Sequence, residues 1–127
     1  LSAPLGGSGE KRRRAFRRGR KGELLAMLML CLKGYRILAR DFRVPMGEVD
    51  IVARQRRTLA FVEVKSRDSL ADGIFSVTPR QQRRIARAAA AFVGRHPRYR
   101  HHVQRFDIIA VAPWRWPRHI VSAWFGR

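Results

Sequence analysis

At 127 residues and 46% hydrophobic content, the chain has the length of one domain with a modest core, and its composition supports a globular protein. Its 28 Lys and Arg against nine Asp and Glu give a formal net charge of +19, which predicts a polyanionic partner without distinguishing DNA from RNA, ribosome or anionic membrane. A single cysteine, Cys31, excludes an internal disulfide and fits a reducing cytoplasm.

Residues 1–19 read as a disordered basic tail. Leu1 to Gly9 is rich in Gly, Ser and Pro, and a basic run from Glu10 to Lys21 follows. Residues 20–127 read as the folded domain. Arg20 to Lys33 is predicted as a helix. Leu24 to Leu32 is apolar on every side, so this helix is expected to be buried on more than one face or to lie at a dimer contact, with Cys31 a buried small hydrophobe. The apolar run is too short to span a membrane. It lacks a following Ala-x-Ala site and begins beside Glu23, which argues against a secretory signal. Taken alone, Glu23 complements the helix dipole in the first turn.

Gly34 ends the helix, and Tyr35 to Val44 is predicted as a first strand. Pro45-Met46-Gly47 forms a turn. Glu48–Arg54 and Thr58–Ser66 form a central hairpin around Arg56-Arg57. A two-residue turn there sets Asp50 opposite Glu63, and alternation along the strand places Lys65 on the face of Glu63. Two carboxylates and an ammonium on one surface suffice to hold a divalent metal beside a phosphate. The alternative is a solvated face on which Asp50 and Glu63 pair with Arg or Lys.

Arg67 to Val77 is predicted as a polar loop with a flexible point at Gly73. Thr78-Pro79 then supplies an N-cap and a first-turn proline for a helix running to about Val93, with Gly94 as its stop. Ile85, Ala88, Ala89 and Phe92 form the apolar stripe of that helix, and Gln81 points inward with them. Arg80, Arg84 and Arg87 fall on the outer face, either a solvated surface or a patch that tracks phosphates. His96 to Gln104 is a loop and Arg105 to Val111 a fourth strand, with Asp107 pairing with an arginine. A turn over Pro113–Pro117 and a final strand or short helix from His119 to Phe125 close the order. Trp114 and Trp116 either cover a sheet edge or the core, or stack on bases. His96, His101 and His102 lack the paired spacing of a zinc site and read as a basic loop.

Several of these residues, taken in order, resemble the bacterial YraN-like family of predicted endonucleases. They are Gly22-Glu23 with Ala26, Gly34-Tyr35, Gly47-Glu48-Val49-Asp50, Phe61-Val62-Glu63-Val64-Lys65-Ser66-Arg67 and Arg105-Phe106-Asp107. That family in turn is similar to the archaeal Holliday junction resolvases and the PD-(D/E)XK nuclease superfamily. The resemblance covers the chain from about Arg20 to Phe125. It implies an α/β domain of restriction-endonuclease-like type, a mixed sheet flanked by helices. It also implies Mg2+- or Mn2+-dependent hydrolysis of DNA phosphodiesters, with branched DNA as one substrate class.

Asp50 stands at the motif's aspartate, preceded by Val49 where the motif has Pro. Glu63 matches the second acidic position, Lys65 the lysine, and Glu23 the helix glutamate that completes the acidic site in resolvase-like members. The resemblance thus implies metal held by Asp50, Glu63 and Glu23, with the Val64 carbonyl an added ligand, and catalysis by Asp50, Glu63 and Lys65. Nucleic-acid contacts fall to Arg67, Arg80, Gln81, Arg84 and Arg87. Gln81 stands where family members often carry Lys. Resolution of branched DNA needs two sites, so a homodimer is the expectation for that activity. The alternative from another class is a noncatalytic nucleic-acid-binding module, for DNA or RNA, that keeps the fold and the charge.

Overall fold

The computed structural model describes residues 20–74 and 77–124, and the tail expected over residues 1–19 lies outside them. The fold is α/β: a five-stranded mixed sheet flanked by helices, as expected for the restriction-endonuclease-like type. Helix α1 covers residues 20–32 of the described chain. Strands β1 (Arg36–Val44), β2 (Gly47–Gln55) and β3 (Thr58–Ser66) follow as an antiparallel meander, and α2 (Leu70–Ile74) and α3 (Pro79–Arg95) then cross back over the sheet. Strand β4 (Val103–Val111) pairs parallel with β3, and β5 (Arg118–Trp124) pairs antiparallel with β4. The sheet order β1-β2-β3-β4-β5 leaves β1 and β5 as edges.

Period-two alternation divides the core between the two faces. Ala60 and Val62 of β3 and Ile109 and Val111 of β4 join Ala26, Met29 and Leu30 of α1 in one cluster. Leu59, Phe61 and Phe106 turn the other way, onto Ile85, Ala88, Ala89 and Phe92 of α3. Those four α3 residues are the stripe that the helical spacing predicts, and all four are buried. Thr78 caps α3 through a reciprocal box, accepting from the Gln81 main-chain N–H while the Gln81 side chain accepts from the Thr78 N–H.

Four expectations are corrected. Within the chain, helix α1 is buried on one face only, because a single sheet packs against it; Leu24, Leu25, Leu28 and Leu32 are exposed, which corrects burial on a second face and leaves the dimer-contact expectation as it stood. Cys31 shares that outer side and is exposed. The segment read as a polar loop contains α2, in which Gly73 is buried: a Cβ there would lie 3.0 Å from the Ala110 Cβ and 3.3 Å from the Lys65 carbonyl oxygen. Neither Trp114 nor Trp116 enters the core. The turn carries them outward, and Trp114 is fully exposed with a left-handed φ of 62°.

Candidate metal centre

The β2–β3 hairpin closes on the two-residue turn at Arg56-Arg57, with Gln55 opposite Thr58, as turn length predicts. The paired register runs as far as Ile51 and Val62, which leaves Asp50 and Glu63 as neighbours one step beyond the last pair. Here the ladder opens. Val49 packs in the α3-side cluster and Ile51 in the α1-side cluster, so alternation breaks at Asp50 between them. The Asp50 carboxylate occupies the gap, and its Oδ2 accepts the main-chain N–H of Val64 at 2.8 Å.

Three more acidic side chains converge on this point. Glu23 arrives from the first turns of α1, which lies close against the ends of β3 and β4. A Cβ on the preceding residue, Gly22, would overlap the Ser66 hydroxyl, so glycine is what permits that approach. Asp41 arrives from β1. The Arg40–Ile51 and Phe42–Val49 pairs bracket it and leave it across from Asp50. Carboxylate oxygens of Glu23, Asp41 and Asp50 all lie within 4.8 Å of one another. Glu63 joins through a hydrogen bond with Asp50, and its Oε1 sits 3.3 Å from the ammonium of Lys65, itself buried at 7% exposure.

Crowded acids shift one another's ionisation. Burial, then the Asp50 charge, push the Glu63 carboxyl up to about 7, against the pull of Lys65. Burial, then Asp50 and Asp41, raise Glu23 to about 6. Asp50 is also pushed up, chiefly by burial, while the Val64 N–H and Lys65 draw it back. The hydrogen bond between Glu63 and Asp50 raises the first and lowers the second. The bond between Glu23 and Asp41 likewise raises Glu23. Four carboxyls crowded together without His or Cys form an oxygen-only donor set, which suits Mg2+ or Mn2+ better than zinc.

Of the residues singled out in the sequence, Asp50, Glu63, Lys65 and Glu23 meet here. Asp41 is the addition. The same count that pairs Asp50 with Glu63 across one turn pairs Asp41 with Asp50 across the Pro45-Met46 turn. Its φ of 48° takes the backbone out of the ladder at that point.

The residues proposed to touch nucleic acid divide. Arg67, Arg80 and Arg87 are exposed, as is Arg83. Arg84 turns inward instead and is half-buried, with Nη2 3.9 Å from Glu48 Oε1. Gln81 is partly buried, and its carbonyl oxygen is taken by the cap of α3. Glu48 is exposed and pairs with Arg43 and Arg84, outside the cluster.

Asp107 has a structural role. It is fully buried and accepts from Arg105 at 2.9 and 2.8 Å, from His119 Nε2 at 2.8 Å and from the Ser122 N–H at 3.0 Å. Burial opposes its charge, but the bonds from His119, Arg105 and Ser122 outweigh it and hold the carboxyl below its ordinary range. With Nε2–H committed to Asp107, His119 Nδ1 accepts from the Lys33 ammonium at 2.7 Å, which ties the end of α1 to β5.

The chain matches the model of the "Uncharacterised protein family UPF0102" over residues 22–111. It is 48% identical over 110 residues to a UPF0102 protein of Parvibaculum lavamentivorans, covering 87% of this chain and 83% of the relative. A UPF0102 protein of Bradyrhizobium sp. (strain BTAi1) is 52% identical over 109 residues, 86% of this chain and 80% of the relative. A relative from Bradyrhizobium diazoefficiens is 47% identical over 128 residues, 97% and 96% of the two chains. Among the described residues, no helix is long and apolar enough to cross a membrane.

Proposed function

We propose that this chain, which belongs to the UPF0102 family, is a divalent-metal-dependent endonuclease of the PD-(D/E)XK type that hydrolyses DNA phosphodiesters, with branched DNA its favoured substrate class. The observation that carries the reading is the convergence of Glu23, Asp41 and Asp50 within 4.8 Å, continued through Glu63 to the buried Lys65. Structural ion pairs do not account for it. In a chain of net charge +19, four of the nine carboxylates crowd against one another, and the charges of Arg40 and Lys65 do not outweigh the burial and mutual repulsion that raise Glu23 and Glu63.

Asp50, Glu23 and Asp41 would hold the metal, with Glu63 on its flank. A bound Mg2+ or Mn2+ supplies neutralisation of the phosphoryl oxygens and acidification of a water. The protein's own groups do the positioning. The Val64 N–H fixes the Asp50 carboxylate. Glu63 holds the Lys65 ammonium at 3.3 Å, where it orients the attacking water or stabilises the charge that builds on the pentacovalent phosphate. Arg67, Arg80, Arg83 and Arg87 would line the approach of the DNA backbone. A homodimer is the expected form for two cuts on a branched substrate, and the reducing cytoplasm the expected compartment.

The test is a cleavage panel of duplex, single-stranded, flap and four-way DNA with Mg2+ and Mn2+. Cutting by the parent, lost at least ~100-fold in Asp50→Asn, Glu63→Gln and Lys65→Ala with DNA affinity kept, is the expected result. A metal-replete parent that binds DNA and cuts none of the panel makes the chain a noncatalytic binding module. Undiminished cutting in Asp50→Asn removes the site assigned here.

A further inference from the structure

A second constellation lies four residues along β2 from Asp50. Arg54 stands directly opposite Arg36 in the β1–β2 register. Like charges opposed across an antiparallel pair repel, and no carboxylate offsets these two: among the described residues neither forms an ion pair. The two arginines line a cavity of about 460 Å³ together with Arg98, Tyr99 and His102. Its apolar wall includes Leu38, the extra residue of the β-bulge between Ile37 and Ala39. Arg98 lies over the Tyr99 ring at 5.7 Å, and Tyr99 meets the His102 ring edge-on at 5.1 Å. The Arg54 guanidinium donates from Nη1 to the Arg56 carbonyl oxygen at 3.2 Å, while its Nε is buried and has no hydrogen-bond partner. Three guanidinium groups around one cavity, with no carboxylate in its lining, are like charges that a bound anion would offset.

We propose that this pocket binds a backbone phosphate of a nucleic-acid strand, at a position separate from the acidic cluster. The proposal rests on the reading of the chain as a nucleic-acid-binding protein, and not on its catalysing cleavage. Guanidinium forks match phosphate oxygens, so Arg36, Arg54 and Arg98 supply the donors. Four strand residues separate Arg54 from Asp50, about 13 Å along β2. That is about four steps of B-form duplex. Leu38 and Tyr99 pack with the α3-side cluster, whereas Glu23 comes from α1. A strand engaging both places therefore passes the β1 edge, where Arg36, Arg40 and Arg43 are exposed. The pocket thus anchors a strand a few nucleotides from the acidic cluster and sets how the duplex lies on the protein.

The experiment measures binding of inorganic pyrophosphate, of deoxyadenosine monophosphate and of a labelled 20-nucleotide strand and its duplex, all in EDTA. The full chain is compared with Arg98→Ala, Arg36→Ala and Arg54→Met, and with Arg118→Ala as a control that removes equal charge from an exposed site on β5. Arg98→Ala and Arg36→Ala alter exposed side chains, so they keep the test decisive if Arg54→Met folds poorly. The expected result is pyrophosphate affinity weakened at least ~5-fold in the pocket variants and less than ~2-fold in Arg118→Ala. The duplex salt slope should fall by about one unit per arginine removed. Equal losses in Arg98→Ala and Arg118→Ala overturn the pocket, since only net charge would then matter. Tight pyrophosphate or mononucleotide binding with an unchanged oligonucleotide slope overturns the strand assignment in favour of a free phosphate ligand. Neither outcome bears on the acidic cluster, whose failure appears only in metal binding and cleavage.

Discussion

Asp41 stands across the β1–β2 pair from Asp50, two carboxylates opposed at one level of the sheet with Glu23 closing the group. Opposed like charges destabilise a sheet unless a cation or a proton lies between them. Added Mn2+ or Mg2+ is therefore expected to raise the melting temperature of the protein, with Asp50→Asn abolishing the shift and Asp41→Asn reducing it. In EDTA, Asp41→Asn should be neutral or stabilising by about 0.5–1 kcal/mol. Scanning calorimetry with and without metal measures both effects. A metal shift untouched by either variant would place the cation elsewhere.

Stability should depend on pH in a direction set by the same crowding. Glu63 and Glu23 are raised from an ordinary 4.5 to about 7 and about 6. Between those values the folded state binds more protons than the unfolded one. Its stability is therefore expected to fall as pH rises from about 4.5 through 7. In EDTA the melting temperature should drop by roughly 5 °C across that window from these groups, and Glu63→Gln should flatten the curve. Saturating Mn2+ should flatten it also, because cation then replaces proton. A Glu63→Gln profile parallel to that of the parent would sink the idea.

The arginine face of α3 should divide in function. Replacing Arg80, Arg83 and Arg87 together is expected to lower the slope of log affinity against log salt by about 2–3 units on duplex DNA. Arg84→Ala should change it by less than one, because Arg84 is half-buried toward Glu48. Equal slopes in the triple variant and the parent would move the duplex off α3.

Asp107 is held by four hydrogen bonds in a fully buried setting, so Asp107→Asn leaves Arg105 and His119 with weakened partners. The expected cost is about 3 kcal/mol or more, read by urea denaturation, with metal affinity per folded molecule unchanged. Loss of metal binding in a folded Asp107→Asn protein would instead tie the residue to the acidic cluster.

The sheet and α3 were legible because their signals are local and periodic. Ile85, Ala88, Ala89 and Phe92 repeat at helical spacing, and the Arg56-Arg57 turn sets the hairpin register. Asp50, Glu63, Lys65 and Glu23 could be named because an ordered family resemblance joined residues that no single motif connects. Asp41 was missed because the sequence reads as a Pro45-Met46-Gly47 turn, one residue longer than the Pro45-Met46 turn that pairs Val44 with Gly47, and because a lone acid between Arg40 and Phe42 carries no motif. The apolar run of α1 misled for a different reason. Composition reports how many faces of a helix are hydrophobic, and not how many layers the fold supplies to cover them. The exposure of Trp114 follows from a left-handed residue in a short turn, which residue identity does not announce.

The parallel pairing of β3 with β4 has a consequence for how the molecule assembles. Every residue of β4 lies beside the one 45 positions earlier, across the whole length of both strands. The β1–β3 meander closes through two short turns. Loop-closure entropy favours the nearby pairings and delays the distant one. Asp41, Asp50 and Glu63 are thus brought side by side by the quickest steps available to the chain. On the same argument the β4 strand, with Asp107 and its partners, is expected to dock later, once α3 has carried the chain back across the sheet. Cation present during refolding can act on the meander before the domain is complete, so it should speed folding and not merely slow unfolding.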